Sequence, residues 1–344
     1  MKTVLVTGAG GYIGCVLVPK LLSKGYKVKA LDRYFFGEEK IQNHENLIKI
    51  QEDSRCIKEE VFEGVDYIID LVAISNDPSG EVFQDATYSI NYVSRAQTAK
   101  LGKKCGVKRY ILPSSCSIYG FQDTQVDETS KTNPLTTYAK ANEKAENEVL
   151  PLADDNFCVT VIRQATVFGY SPRIRFDLAI NGMTYGAWST KKLPLMRDGS
   201  QYRPMVHVQD TTDVMCLLLE ADRNLINGEL FNVGSEENNY QIGPLGEKVA
   251  QTVSEKIGED VGIEWYGDPD PRSYNVNFDK IKKILKWKAQ WNAERGAAEI
   301  VDKLESGELV KDERSITLDW YKNLVEWHKI IKKVEKYGGI LEII

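Results

Sequence analysis

Thr3-Val-Leu-Val-Thr7-Gly8-Ala-Gly-Gly11-Tyr-Ile-Gly14 runs from an apolar strand straight into a cluster of glycines. An amphipathic segment, residues 12–24, follows, and a second strand, residues 27–31, ends at Asp32. Strand, glycine turn, helix, strand and terminal acid together form the unit that binds a dinucleotide. Each part has a physical task. Gly8 allows the tight turn, Gly11 lets a pyrophosphate approach the backbone, and Gly14 lets the helix pack closely on the strand. The helix N-terminus then faces the phosphates with free N–H groups and a partial positive charge. Asp32, 18 residues after Gly14, would accept hydrogen bonds from the adenosine ribose hydroxyls and repel a 2′-phosphate, which predicts NAD rather than NADP. Arg33 beside it argues the other way.

Length and composition bound the rest. A chain of 344 residues can hold two domains or one large one with a deep core. Hydrophobic content of 42% and charged content of 27% are ordinary for a soluble globular protein. A net charge of −6, with no basic block, argues against a nucleic-acid partner. The first apolar run is broken by glycines, so it reads as a strand and not as a signal peptide. No apolar stretch reaches the ~18 residues that a membrane helix needs. Cys15, Cys56, Cys105, Cys116, Cys158 and Cys216 lack metal-site spacing and lie mostly in apolar segments. They read as reduced thiols of a cytoplasmic protein, and no metal is expected.

Outward from the opening unit, short apolar runs alternate with helical patterns. Strands are expected over residues 47–51, 66–72, 109–113 and 158–163, and helices over 85–105 and 134–150. That alternation predicts an α/β fold, a Rossmann-type doubly wound parallel sheet covered on both faces. After Gly169 the pattern loosens into Pro, Gly, Arg and aromatic residues, as expected of a smaller α/β region that shapes a substrate site. The expected division assigns 1–169 to dinucleotide binding, with 204–234 returning to it through a helix over 208–219 and a strand over 229–233. Residues 170–203 and 235–344 form the substrate region and C-terminal helices, the last of them a packed amphipathic helix over 315–337. His207 and the indoles of Trp188, Trp265, Trp287 and Trp291 are expected to be structural.

A second cluster lies where the later strands end, the edge at which an open α/β sheet places its ligands. Pro113-Ser-Ser-Cys-Ser-Ile-Tyr-Gly120 follows one strand, and Asn133-Pro-Leu-Thr-Thr-Tyr138-Ala-Lys-Ala-Asn142 comes downstream. With the glycine motif, these resemble the extended short-chain dehydrogenase/reductase family, in particular its NAD-dependent nucleotide-sugar epimerases and dehydratases, the UDP-glucose 4-epimerase-like group. The resemblance covers most of the chain in order, through Leu71-Val-Ala73, Asn91, Arg163-Gln-Ala-Thr-Val-Phe-Gly169, Arg203-Pro-Met-Val-His-Val208 and Asp270-Pro-Arg272. It implies that Tyr138 is the general acid/base on a sugar hydroxyl and that Ser115 bonds the same oxygen. Beside the glycines and Asp32, it implies NAD contacts at Tyr12, Ile13, Arg33, Asp53, Ser54, Leu71, Val72, Ala73, Asn91, Ser114, Tyr138 and Asn142. It implies sugar contacts at Ser75, Ser115, Cys116, Ser117 and Thr166, and diphosphate contacts at Arg203 and Arg272. Arg173 and Arg175 add a basic pair suited to an anion, because a guanidinium meets phosphate oxygens bidentately. The implied partner is a nucleoside-diphosphate sugar, and the implied assembly is a homodimer.

Two departures from the family pattern steer the reaction. The tyrosine is ordinarily followed four residues later by lysine, one helical turn on, which holds the nicotinamide ribose and lowers the tyrosine pKa. Here that residue is Asn142, and Lys140 and Lys144 lie about 200° and 240° around the helix. Asn142 can hydrogen-bond the ribose but brings no charge, and loss of such a group costs on the order of 10²–10⁴ in rate. The dehydratases place an Asp-Glu pair after the hydroxyl residue, where this chain has Cys116 and Ser117, so loss of water is not expected. Hydride movement between NAD and a sugar carbon remains, with 4-epimerisation the leading reading. The alternatives are a nucleotide-sugar 4-dehydrogenase or ketoreductase, and a non-catalytic NAD-binding protein, for which Asn142 argues.

Overall fold

The computed structural model describes residues 1–268 and 272–335. Part of the Asp270-Pro-Arg272 motif and the end of the expected 315–337 helix therefore lie outside the described residues. β1 (Thr3–Thr7), β2 (Lys27–Asp32), β3 (Leu47–Gln51), β4 (Tyr67–Asp70), β5 (Arg109–Ser115) and β6 (Cys158–Gln164) join one parallel sheet. β7 (Thr166–Phe168), β8 (Lys192–Met196) and β9 (Tyr202–His207) leave it, and β10 (Glu229–Val233) returns parallel to β6 at its edge. β11 (Asn239–Gln241) pairs with β9, and β12 (Gly262–Tyr266) pairs with β8. The seven strands run in the order β10-β6-β5-β4-β1-β2-β3. Winding therefore reverses between β1 and β4, the place where such sheets open a crevice for ligands.

Alternation along the strands builds two cores. Val4 and Val6 of β1 meet Val28 and Ala30 of β2 under Leu17, Val18 and Leu21 of α1 (Gly14–Ser23). Leu5, one step out of phase, joins Ile68, Leu112 and Val161 on the other face, as a period of two requires. After β4 come α2 (Asp77–Val82), α3 (Gln84–Tyr88), α4 (Arg95–Lys104) and α5 (Thr137–Val149), whose Ala99, Ala145 and Val149 cover that second face. α6 (Ala179–Thr190), α7 (Val208–Glu220), α8 (Arg223–Ile226), α9 (Ile242–Ile257), α10 (Asp279–Leu285), α11 (Ala293–Glu305) and α12 (Thr317–Val334) complete the order. Val214 and Leu218 of α7 lie in the first core beside α1. α6, α9, α11 and β8 share a separate core built from Ile180, Leu193, Leu195, Val249 and Ala297.

Two details differ from the expected pattern, and a third fills it in. The helix expected over 85–105 is α3, a π-helical turn at Ser89–Ser94 and then α4. The widened turn leaves Asn91, Ser94 and Arg95 all buried. Asn91 clasps the loop after β4, accepting from the Ile74 amide at 2.8 Å and donating to the Ile74 carbonyl at 2.9 Å. Trp265, expected in the core, lies exposed on β12. α12 is packed as expected, and the surface it meets is the segment after β2 together with Phe83. Its Trp320 indole donates to the Phe35 carbonyl at 2.6 Å, and Tyr321 sits among Phe35, Phe36 and Phe83 with ring centroids 5.6–6.4 Å away.

Candidate active site

Above the β1–β4 crevice lies a cavity of about 1250 Å³, larger than the ~300–1,000 Å³ of one small-molecule site. One half is made of backbone. Gly8 has φ +66°, and a Cβ there would come within 2.7 Å of the Val72 nitrogen, so the loops after β1 and β4 touch through a missing side chain. A Cβ at Gly14 would meet the Ala9 carbonyl oxygen at 2.3 Å. Gly11, Tyr12, Ile13, Leu71, Val72 and Ala73 continue the same wall. Asp32 closes it, accepting from the Gly10 amide at 2.9 Å and the Tyr34 amide at 2.6 Å. Burial pushes its pKa up, and those two N–H groups restrain the rise. Glycine cradle, helix N-terminus and carboxylate fit the phosphates and ribose of NAD. Arg33 pairs with Asp53 at 2.7 Å and lies over the Phe35 ring, and Arg33 and Asp53 line the cavity beside Asp32. Asp53 is also paired with Arg55, which holds its carboxyl well below the usual range. Ser54, buried at the same rim, bonds Ser94 at 3.0 Å.

Ser114 and Ser115 end β5 at the centre of the cavity. Ser114 donates to Glu146, whose buried ion pair with Arg163 is 2.7 Å long. The Ser115 hydroxyl accepts from the Ser117 amide at 3.1 Å. Tyr138 lies in the first turn of α5, which Thr136 caps by accepting from the Ala139 amide. Burial raises the phenol's pKa; Arg95, a hydrogen bond from Ser115 and Arg175 lower it, and Asp77 raises it. Three residues expected to touch ligands do not line the cavity. Asn91 holds Ile74, as described. Cys116 enters a turn that points its thiol at the Arg163 carbonyl, 3.2 Å away, and burial raises its pKa strongly. Asn142 is buried, its amide donating to the Tyr138 carbonyl at 3.0 Å and its oxygen accepting from Arg95 at 2.8 Å.

The other half is made of side chains. Arg175 pairs with Asp177 at 2.7 Å and donates to the Ser75 hydroxyl at 2.9 Å, holding that loop in place. Arg173 donates to Thr317 of α12 at 3.0 Å and lies 3.7 Å from the Phe36 ring centroid. Its Nε and Nη1 are buried without a hydrogen-bond partner, and burial together with Arg175 lowers its pKa to about 10. Arg203 donates to the Tyr202 and Arg272 carbonyls, and Arg272 pairs with Asp77. Thr166 and Ser117 complete this lining, and Ile316, Tyr321 and Leu324 from the α12 segment close it. His207 stays outside, 3.0 Å from Glu299 and stacked on Trp291 at 4.0 Å. Arg95, Glu146, Asp177 and the α12 wall are absent from the sequence reading. Arg95 had a signal, standing four residues after Asn91 and so on the same inward helix face. Among the described residues no His/Cys/Asp/Glu group is arranged for a metal, and no helix is long and apolar enough to cross a membrane.

Comparison with known proteins places this geometry. A model of the NAD dependent epimerase/dehydratase family matches residues 4–234. UDP-glucuronic acid decarboxylase 4 of Arabidopsis thaliana is 27% identical over 298 residues, which are 83% of this chain and 64% of the plant protein. The chain thus spans somewhat under two thirds of that relative's length. An uncharacterized UDP-glucose epimerase, YtcB of Bacillus subtilis (strain 168), is 27% identical over 315 residues, 82% of this chain and 91% of that one. Among solved structures, MoeE5 in complex with UDP-glucuronic acid and NAD superposes with TM-score 0.78 at 22% identity, covering 89% of this chain and 99% of that one. UDP-glucuronic acid 4-epimerase from Bacillus cereus, also with UDP-glucuronic acid and NAD, gives TM-score 0.78 at 20% identity over 88% and 99%. At these identities the structural likeness is one of fold.

Proposed function

The chain belongs to the NAD-dependent epimerase/dehydratase family, and on that premise we propose that it is a nucleotide-sugar 4-epimerase acting through a 4-keto intermediate. The observation that supports this most is that Ser115 and Tyr138 line one cavity between the glycine-loop wall and the arginine wall. NAD, when bound, supplies a reversible hydride acceptor. Tyr138 takes the proton of the sugar O4 as the ketone forms and returns it when the alcohol is rebuilt on the other face. Ser115 holds the same oxygen. Arg203 and Arg272 grip the diphosphate of a nucleoside-diphosphate sugar, with the open N–H groups of Arg173 as a further anion contact. Cys116 and Ser117 offer no carboxylate pair for eliminating water. The α12 segment, which closes the arginine half and also packs on Phe35 and Phe36 just past Asp32, favours a retained NAD, which an epimerase reuses and a dehydrogenase must exchange.

The test is to incubate the purified protein, without added NAD, with a panel of UDP-, GDP-, dTDP- and CDP-hexoses and their uronic acids. Inversion at C4 by NMR without accumulating NADH is the expected result. Sustained NADH formation without inversion on added NAD would replace this reading with a 4-dehydrogenase. Bound NAD with no turnover on any sugar would leave a binding protein.

A further inference from the structure

Arg95 is buried to 2% exposure, and among the described residues no carboxylate lies within ion-pair distance of it. Its Nε donates to the Val72 carbonyl at 2.9 Å, and its Nη1 donates to Asn142 Oδ1 at 2.8 Å. Both acceptors are neutral. Burying a cation against two neutral oxygens is costly, and a neutral amide could serve those oxygens at far lower cost. Part of the reason is Asp70 of β4, a buried carboxyl whose shift toward the neutral acid Arg95 opposes more than any other neighbour does; the remaining reason lies on the side of the guanidinium that faces α5. Val72 lines the cavity floor, and Asn142 stands one helical turn after Tyr138. The guanidinium thus bridges the loop after β4 and α5, one helical turn along α5 from Tyr138.

We propose that Arg95 is a positioning residue that supplies Tyr138, from α4 and anchored by Asn142, with the positive charge its proton transfer requires. The inference rests on Tyr138 being the proton-transferring group. Asn142 then does not leave the site without charge: its oxygen holds a cation that arrives from a neighbouring helix. Arg95 is the strongest charged influence on the phenol and acts toward the phenolate. The other groups facing Tyr138 are Asp77 from α2, which opposes it, Arg175 from the segment after β7, and the Ser115 hydroxyl from β5. Asp70 of β4 also interacts with Arg95: burial pushes its carboxyl toward the neutral acid, and Arg95, ahead of the hydrogen bonds from Thr7 and Tyr110, holds it back, so the guanidinium serves Asp70 on one side and Tyr138 on the other. Nearby on α5, Lys144 lies over the Tyr88 and Tyr92 rings and Glu146 is consumed by Arg163.

The experiment needs no sugar. Protein saturated with NAD and carrying tyrosine isotopically labelled at the hydroxyl-bearing ring carbon is titrated by NMR, with Tyr138 assigned through Tyr138→Phe. Arg95→Gln, which keeps a donor for Asn142, is expected to raise the Tyr138 midpoint by at least ~1 pH unit. Arg95→Lys is expected to stay within about half a unit of the parent, and so is the exchange Arg95→Thr with Asn142→Lys. A parent midpoint no lower than that of Arg95→Gln overturns the proposal. Should Arg95→Gln not fold, the exchange decides. Coincidence with the parent supports the charge relocation, whereas a midpoint ~1 unit or more below it shows that Arg95 supplied nothing. Failure of the epimerase reading would leave this titration unchanged, so the two outcomes are separable.

Discussion

The two walls of the cavity are built of different material. Around Gly8, Gly14 and the 71–73 loop the wall is backbone, and the residues matter mostly for what they lack. Across the cavity, Arg173 and Arg175 come from the segment after β7, Arg203 from β9 and Arg272 from the segment before α10, each braced by a different partner. A backbone wall is strict, since a single Cβ destroys it. A side-chain wall is permissive, because several positions can present a guanidinium to one phosphate. Within the second wall the same contrast recurs at close range. Arg175 is committed to Asp177, while Arg173, two residues earlier, keeps two buried N–H groups open.

The sharpest test of the comparison lies where the walls meet. Tyr138→Phe is expected to lower turnover by about 10²–10⁴-fold, with NAD affinity by calorimetry nearly unchanged. Full activity in that variant would mean that the junction is not the reacting point. Next comes the paired against the open arginine. Arg175→Met leaves the partly buried Asp177 without its cation, held by Asn76 and Thr317 alone, and is expected to cost about 3 kcal/mol in chemical denaturation. Arg173→Met removes a cation that the fold already strains, so stability should hold or rise while affinity for NAD or UDP, measured separately, falls at least ~10-fold. Equal stability losses would erase the distinction between them.

On the backbone wall, Gly8→Ala is expected to cost at least ~2 kcal/mol and to weaken NAD binding, through both its positive φ and the contact with Val72. Gly25→Ala is the control. It has φ +83° but nothing within 4 Å of the added Cβ, so it should lose only ~1 kcal/mol and leave NAD binding untouched. The smallest effect is at Asp32. Asp32→Ala should erase a preference for NAD over NADP of at least ~10-fold, about 1.4 kcal/mol. Because burial raises the Asp32 pKa, its ionised form is penalised in the fold above that pKa, and the penalty is relieved as pH falls through it. The preference should therefore shrink on acidification at a higher pH than an ordinary aspartate would show. A ratio of affinities that stays flat with pH would remove Asp32 from the discrimination.

The same contrast decides what could be read in advance. β3 and β10 fall at 47–51 and 229–233, as their apolar runs indicate, and Gly8 and Asp32 reach the cavity because their tasks are local to one βαβ unit. Ser115 and Tyr138 reach it through a motif. Cys116 and Asn142, neighbours of those residues along the chain, do not line it, since the turn after β5 and the Arg95 contact draw them inward. The guanidinium that Asn142 holds is 47 positions away, and no periodicity within either helix announces that pairing. α12 was recognisable as an amphipathic helix, but its apolar face carries no mark of which surface it covers.

That last helix ties one wall of the cavity to the order in which the chain is made. Every strand of the seven-stranded sheet has been translated by Val233, so sheet, glycine loop and Asp32 can assemble early. The wall formed by Ile316, Tyr321 and Leu324 arrives roughly eighty residues later, several seconds at ribosomal rates of ≈ 5–20 residues/s. During that interval a nascent chain leaves Phe36 without the Tyr321 ring that covers it in the complete fold. Packing of Trp320 and Tyr321 against the segment after β2 is the step that completes the cavity.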